Sequence, residues 1–140
     1  MIALRLVFDT NVIVSAALNK SGPQYTALVI AVTRPASLFV TREILTEYKE
    51  VLARRKFGFS KGQQSQLLQL IKSRSRLGRS AGSLNVCSDP DDDKFVECAD
   101  VARADYLVTG NLRDFPKYWR GTKIISPRAF LEIVGLHLQH

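Results

Sequence analysis

The chain has 140 residues, 46% hydrophobic and 24% charged, a globular composition that excludes a disordered chain. Lys and Arg number 20 against 13 Asp and Glu, and the resulting charge of +7 points to an anionic partner: nucleic acid, an acidic protein or a membrane surface. Two cysteines exclude a disulfide framework, and no apolar run reaches the roughly 18 residues that span a bilayer.

At this length a single domain over residues 1–140 is expected, burying roughly 68% of its unfolded surface. Cys87 and Cys98 lack a CxxC spacing and read as reduced thiols. The N-terminal segment has no basic region or cleavage site and reads as structure rather than a signal peptide, so a cytoplasmic location is expected.

Ile2 to Phe8 is a short, almost wholly apolar run, the pattern of a buried parallel strand, and it ends at Asp9. A helix is expected from Asn11 to Leu18. After the Ser21-Gly22-Pro23 loop, another should run from Gln24 to Thr33. Ser37 to Thr41 reads as a strand, and Arg42 to Arg55 as a helix with Ile44, Leu45, Tyr48, Val51 and Leu52 on one face. Ser60 should cap a helix that runs to Lys72. Ser73 to Ser83 reads as loop and Leu84 to Cys87 as a short strand. Pro90 opens a helix to Ala104; strands follow at Tyr106 to Thr109 and Lys123 to Ile125, and a last helix at Arg128 to Gly135. Strands alternating with helices indicate an α/β fold on a parallel sheet, whose sites lie beyond the carboxyl ends of the strands.

The charges are segregated. Between Val51 and Ser88 there is no acid, while Arg54, Arg55, Lys56, Lys61, Lys72, Arg74, Arg76 and Arg79 all fall there. Asp89 to Asp114 then holds eight of the thirteen acids and is net negative. Helix capping explains one carboxylate at a helix start, but it does not explain four crowded Asp at 89, 91, 92 and 93. Asp9 follows the first strand, and Asp114 lies five residues past Thr109. On a helical wheel Glu47 lies about 100° from the centre of the apolar face, nearer the buried boundary than Glu43 or Glu50. Asp9, one of Asp91 to Asp93, and Asp114 therefore fall at one end of the sheet with Glu47 in reach. Such a cluster needs a neutralising partner, and a hard divalent cation, Mg²⁺ or Mn²⁺, suits all-oxygen ligands. Zinc would prefer His or Cys, and His137 and His140 lie in the C-terminal tail.

Four segments carry a resemblance. Val7-Phe8-Asp9-Thr10-Asn11-Val12, Ile44-Leu45-Thr46-Glu47-Tyr48, Asp89-Pro90-Asp91-Asp92-Asp93-Lys94-Phe95 and Tyr106-Leu107-Val108-Thr109-Gly110-Asn111, in that order, resemble PIN domains. The closest likeness is to toxin components of toxin–antitoxin systems related to VapC-type ribonucleases. The resemblance implies a three-layer α/β/α sandwich around a central parallel sheet and a Mg²⁺- or Mn²⁺-dependent nuclease acting on single-stranded RNA. It also implies an antitoxin partner and a homodimer. Residue by residue, it assigns Asp9, Glu47, Asp92 and Asp114 as the four acids, with Asp93 the alternative to Asp92. Asp9, Asp92 and Asp114 would ligate metal, and Thr10, Asn11, Asp93, Thr109 and Asn111 would support them. Asn111 stands where close relatives often carry Asp, which removes one charge. Arg54, Arg55, Lys56, Arg74, Arg76 and Arg79 are the candidate RNA contacts, the last three as a clamp.

Two rival readings stand beside this one. An inactive PIN-like module would bind RNA or protein without cleaving, with Asn111 as its sequence support. A phosphoryl-transfer switch or phosphatase also gathers Asp at strand ends. It would need an Asp-x-Asp or a late-sheet Lys, and this chain has Asp9-Thr10-Asn11 and Gly110-Asn111 at those places.

Overall fold

The computed structural model describes residues 3–79, 82 and 84–139, without the side chains of 136–139. The expected strand start at Ile2, the side chain of His137 and residue His140 lie outside this description, as does part of the loop read at Ser73 to Ser83. Among the described residues no helix is long and apolar enough to cross a membrane.

The first strand, β1 (Arg5–Phe8), has Leu6, Val7 and Phe8 fully buried. At about 1.5–3 kcal/mol for each such side chain, it anchors the core. Helices α1 (Thr10–Leu18) and α2 (Pro23–Ala31) follow, and then β2 (Ser37–Val40). Thr41, expected in that strand, instead caps α3 (Arg42–Leu52) by accepting from Ile44 N–H at 3.2 Å. A 3-10 turn at Arg55–Phe57 separates α3 from α4 (Lys61–Arg74). Ser60 and Gln63 form a reciprocal capping box at the start of α4. The short strand β3 (Arg76–Leu77) comes next, and later a 3-10 turn at Pro90–Asp92 leads into α5 (Asp93–Ala102). The chain ends with β4 (Tyr106–Val108), a 3-10 turn at Leu112–Asp114, β5 (Tyr118–Trp119), β6 (Thr122–Ile125) and α6 (Pro127–Gln139).

The six strands lie in the order β3-β2-β1-β4-β6-β5. The neighbours from β3 to β6 are parallel, as expected of the central sheet, and β5 pairs antiparallel with β6 as a reversed edge strand. Helix α5 packs against β1, β2 and β4. Phe130 of α6 meets Phe8 of β1 edge to face, with centroids 6.2 Å apart. Helices on the sheet faces make the three-layer α/β/α arrangement that the resemblance implies.

Two elements in the basic middle of the chain differ from expectation. No strand forms at Leu84 to Cys87, because its backbone donors go to side chains. Leu84 N–H donates to Glu97, and Val86 and Cys87 N–H both donate to Asp93 Oδ1. Strand β3 forms instead within the segment read as loop, where Gly78 N–H donates to Val40 carbonyl at 2.7 Å. The helix expected to reach Ala104 stops at Ala102, where Arg103 takes a left-handed φ of 52° and turns the chain into β4.

Candidate active site

The winding of the sheet reverses at β1, which lies between β2 and β4. Such a switch point opens a crevice at the carboxyl ends of its strands. Asp9 leaves β1 there, and Thr109, Gly110 and Asn111 leave β4 beside it.

Asp9 is 5% exposed and held from three sides. Its Oδ1 accepts from Thr10 N–H at 2.7 Å, and its Oδ2 accepts from Asn11 Nδ2 at 2.8 Å and Thr109 Oγ1 at 2.7 Å. Asn11 in turn accepts from Gly110 N–H at 3.0 Å, which ties the end of β1 to the end of β4. A Cβ on Gly110 would sit 3.3 Å from Asn11 Oδ1, so the close approach favours glycine there. Burial raises the pKa of Asp9, the three donors oppose that, and the charge of Glu47 adds to it.

The acidic run resolves into separate jobs. Asp89 accepts from Asp91 N–H at 3.0 Å and caps the 3-10 turn. Asp93 turns inward, 6% exposed, and accepts from Val86 and Cys87 N–H at 3.0 and 2.9 Å. Burial alone would raise its pKa, but those two donors outweigh it and the pKa is lowered. Asp92 turns the other way, into the pocket that Asp9 lines. Its pKa is pushed up to about 7, by burial first and then by the charges of Asp9, Asp89, Asp114 and Glu47. Asp114 is thus near enough to act on Asp92, though it stands outside the pocket lining.

Glu47 projects from α3 into the same pocket, but both of its oxygens are engaged. Oε1 accepts from Lys94 Nζ at 2.6 Å, and Oε2 accepts from the Thr10 hydroxyl. Lys94 is a site residue that the sequence reading did not single out; it stands only within the Asp89 to Phe95 segment. Tyr48, fully buried on the next position of α3, donates its hydroxyl to Phe8 carbonyl and fixes the last residue before Asp9.

The pocket, of about 990 Å³, is lined by Asp9, Thr10, Asn11, Glu47, Asp92, Lys94 and Asn111 at one part and by Arg54, Lys56 and Phe57 at another. Arg55, Arg74, Arg76 and Arg79 stand outside its lining. Arg76 lies on the edge strand with its guanidinium 6.0 Å from the Phe39 ring centroid.

The donor set suits a hard cation. Among the described residues neither Asp9 nor Asp92 has an ion-pair partner, and their mutual charge is uncompensated. No three His, Cys, Asp or Glu of the described residues form a ready-made ligand shell. Mg²⁺ does not need one, since it keeps several waters and takes one or two carboxylates. Of the roughly four acceptor positions on an ionised carboxylate, Asp9 has three filled, which leaves Oδ1 able to take one more partner.

Comparison with known proteins gives the same outline. A family model described as a PIN domain matches residues 5–113. An uncharacterized protein of Methanocaldococcus jannaschii is 27% identical over 143 aligned positions, covering 94% of this chain and 92% of that protein. A chain in the crystal structure of VapBC2 from Rickettsia felis, bound to a DNA fragment from its promoter, matches with a TM-score of 0.58 and 18% identity. That match covers 88% of this chain and 98% of the other, and it is a likeness of fold.

Proposed function

This chain belongs to the PIN-domain family, and on that premise we propose that it is a divalent-metal-dependent endoribonuclease built as one domain over residues 1–140. The observation that carries the reading is the meeting of Asp9 and Asp92 in the pocket at the sheet's switch point, with no Lys or Arg of the described residues ion-paired to either. We assign the substrate as single-stranded RNA. We further assign the chain as the cytoplasmic toxin of a toxin–antitoxin pair, acting as a homodimer and held by an antitoxin. The fold likeness to a VapBC chain supports that partner.

Bound Mg²⁺ or Mn²⁺ would supply positive charge against the scissile phosphate and acidify water. Asp9, oriented by Thr10, Asn11 and Thr109, would be the central ligand and Asp92 the second. Asp114, near enough to act on Asp92, would complete the set. Glu47 is the group that orients or accepts a proton from the attacking water, once its carboxylate turns from Lys94. Arg54 and Lys56 hold the phosphate backbone, with Arg55 beside them on the turn. In-line attack on phosphorus breaks the bond to the 3′-oxygen, leaving a 5′-phosphate and a 3′-hydroxyl.

One observation favours a second reading, a PIN-like module that binds RNA or protein without cleaving. The carboxylate of Glu47 is occupied on both oxygens by Lys94 and Thr10. Magnesium titration of cleavage separates the two. The nuclease reading expects saturable cleavage of a single-stranded RNA and its loss in Asp9→Asn with an unchanged melt. Absence of cleavage at every metal concentration favours the binding module, and wild-type cleavage by Asp9→Asn overturns the role assigned to Asp9.

A further inference from the structure

Away from the acids, the same pocket changes chemistry. Val14 and Leu18 of α1, Val51 of α3 and Phe57 of the following turn form an apolar wall, and Arg54 and Lys56 stand in it. Leu18 is 54% exposed and lines the pocket. Phe57 is braced from below by Phe59, with centroids 6.1 Å apart and planes 26° from parallel. The Lys56 ammonium stands 5.1 Å from the Phe57 centroid. Phe57 lines the pocket beside both cations, while Phe59 stands outside its lining and supports the ring.

The spacing connects this wall to the acids. Glu47 and Val51 lie four residues apart on one face of α3, and Arg54 follows two residues past the end of that helix, in extended backbone that leads into the 3-10 turn. All three line the one pocket. Glu50 also lines the pocket. An apolar ledge carrying an aromatic ring, flanked by cations, one short step from a phosphodiester site, has the chemistry of a stacking platform for nucleic acid. Paired bases already stack on each other within a duplex and cannot lie on it.

We propose that the Leu18, Val51 and Phe57 ledge is a subsite for one unpaired nucleobase of a strand whose phosphates lie against Arg54, Lys56 and the acidic end. The proposal rests on the nuclease reading for the position of the strand, and it adds that selection of single strands is built into this wall. Lys56 is the cation that leaves the ring for the phosphate when the base arrives.

The test is a coupling measurement on binding. The full chain carrying Asp9→Asn is titrated against a fluorescent single-stranded oligoribonucleotide in Mg²⁺, then against the same strand with one abasic position moved along it, and against the duplex. Phe57→Ala and Phe57→Leu are made in that background; the second keeps apolar volume if the first does not fold. We expect the Phe57 variants to bind about tenfold more weakly and one abasic position to do the same. That abasic position should add little once Phe57 is gone. Equal loss from the abasic position with and without Phe57, equal binding of duplex, or no binding at all would overturn the subsite. If the coupling appears while the wild-type chain fails to cleave, the nuclease reading falls and the subsite stands.

Discussion

Asp93→Ala removes the acceptor for two backbone N–H groups, Val86 at 3.0 Å and Cys87 at 2.9 Å, in a side chain only 6% exposed. A hydrogen bond to a charged group contributes about 1.5–3 kcal/mol, and here two are lost and two donors are left without partners. The loss should be about 3–5 kcal/mol, a large share of the roughly 5–15 kcal/mol of a typical domain. At about 2–4 °C per kcal/mol for a chain of this size, the melting midpoint should fall by about 10 °C or more. Thermal melts followed by circular dichroism at about pH 7 read this directly. The pH dependence has a definite sign. The folded-state pKa of Asp93 is lowered, so its stabilisation is present above the unfolded value of about 3.9 and is lost as pH falls through the folded value. The gap between wild type and Asp93→Ala should therefore close in strong acid. Asp92→Asn, one residue earlier, should not lower the melt and should remove cleavage. An Asp93→Ala midpoint within about 2 °C of wild type, or a collapse of Asp92→Asn instead, would refute the division of labour between the two neighbours.

Other outcomes follow from the same geometry. Ionising Asp92, whose folded pKa is pushed up to about 7, lowers stability as pH rises from about 4 to about 7. Asp92→Asn should therefore melt higher than wild type above that range, which a pH series of melts would show. By the same proton competition, calorimetric Mn²⁺ affinity should weaken as pH is taken from about 8 to about 6. Lys94→Met breaks a partly exposed pair with Glu47, so its melt should move by no more than the effect of about 1 kcal/mol. It also frees Glu47 and makes the pocket more negative, so Mn²⁺ should bind several-fold tighter; unchanged affinity would show that Lys94 does not compete. Tyr48→Phe leaves Phe8 carbonyl without its buried donor and should lower stability by about 1–2 kcal/mol in a denaturant titration.

The legible parts of this protein are those set by local chemistry. The run from Leu6 to Phe8 followed by an acid could only be a buried strand ending in a functional or capping carboxylate, and Asp9 lies at the end of β1. Glu47 lines the pocket, as its angle on the helix implied, because the wheel fixes direction without knowledge of neighbours. What hid from the sequence depended on partners far along the chain. Asp92 and Asp93 differ in role because a 3-10 turn ends between them and because Val86 and Cys87 arrive to claim Asp93. The same contacts explain why Leu84 to Cys87, despite its apolar residues, is not a strand. Strand β3 is two residues held by backbone pairing to β2, with an exposed Arg76 and Leu77 that give no alternation. Lys94 was visible as a base among acids, yet its bond to Glu47, 47 residues away in sequence, is a product of the fold. The antiparallel β5 owes its direction to the turn at Arg120, whose φ of 52° is a conformation composition does not announce.

The central claim is that Asp9 and Asp92 share a cation at the switch point of the sheet. Crystals of the wild-type chain soaked in Mn²⁺ test it through anomalous scattering. The account predicts one strong peak within coordination distance of both carboxylates, absent in crystals of Asp9→Asn treated alike. A soaked crystal with no peak there and Glu47 still on Lys94, or a peak held by other residues, would contradict it.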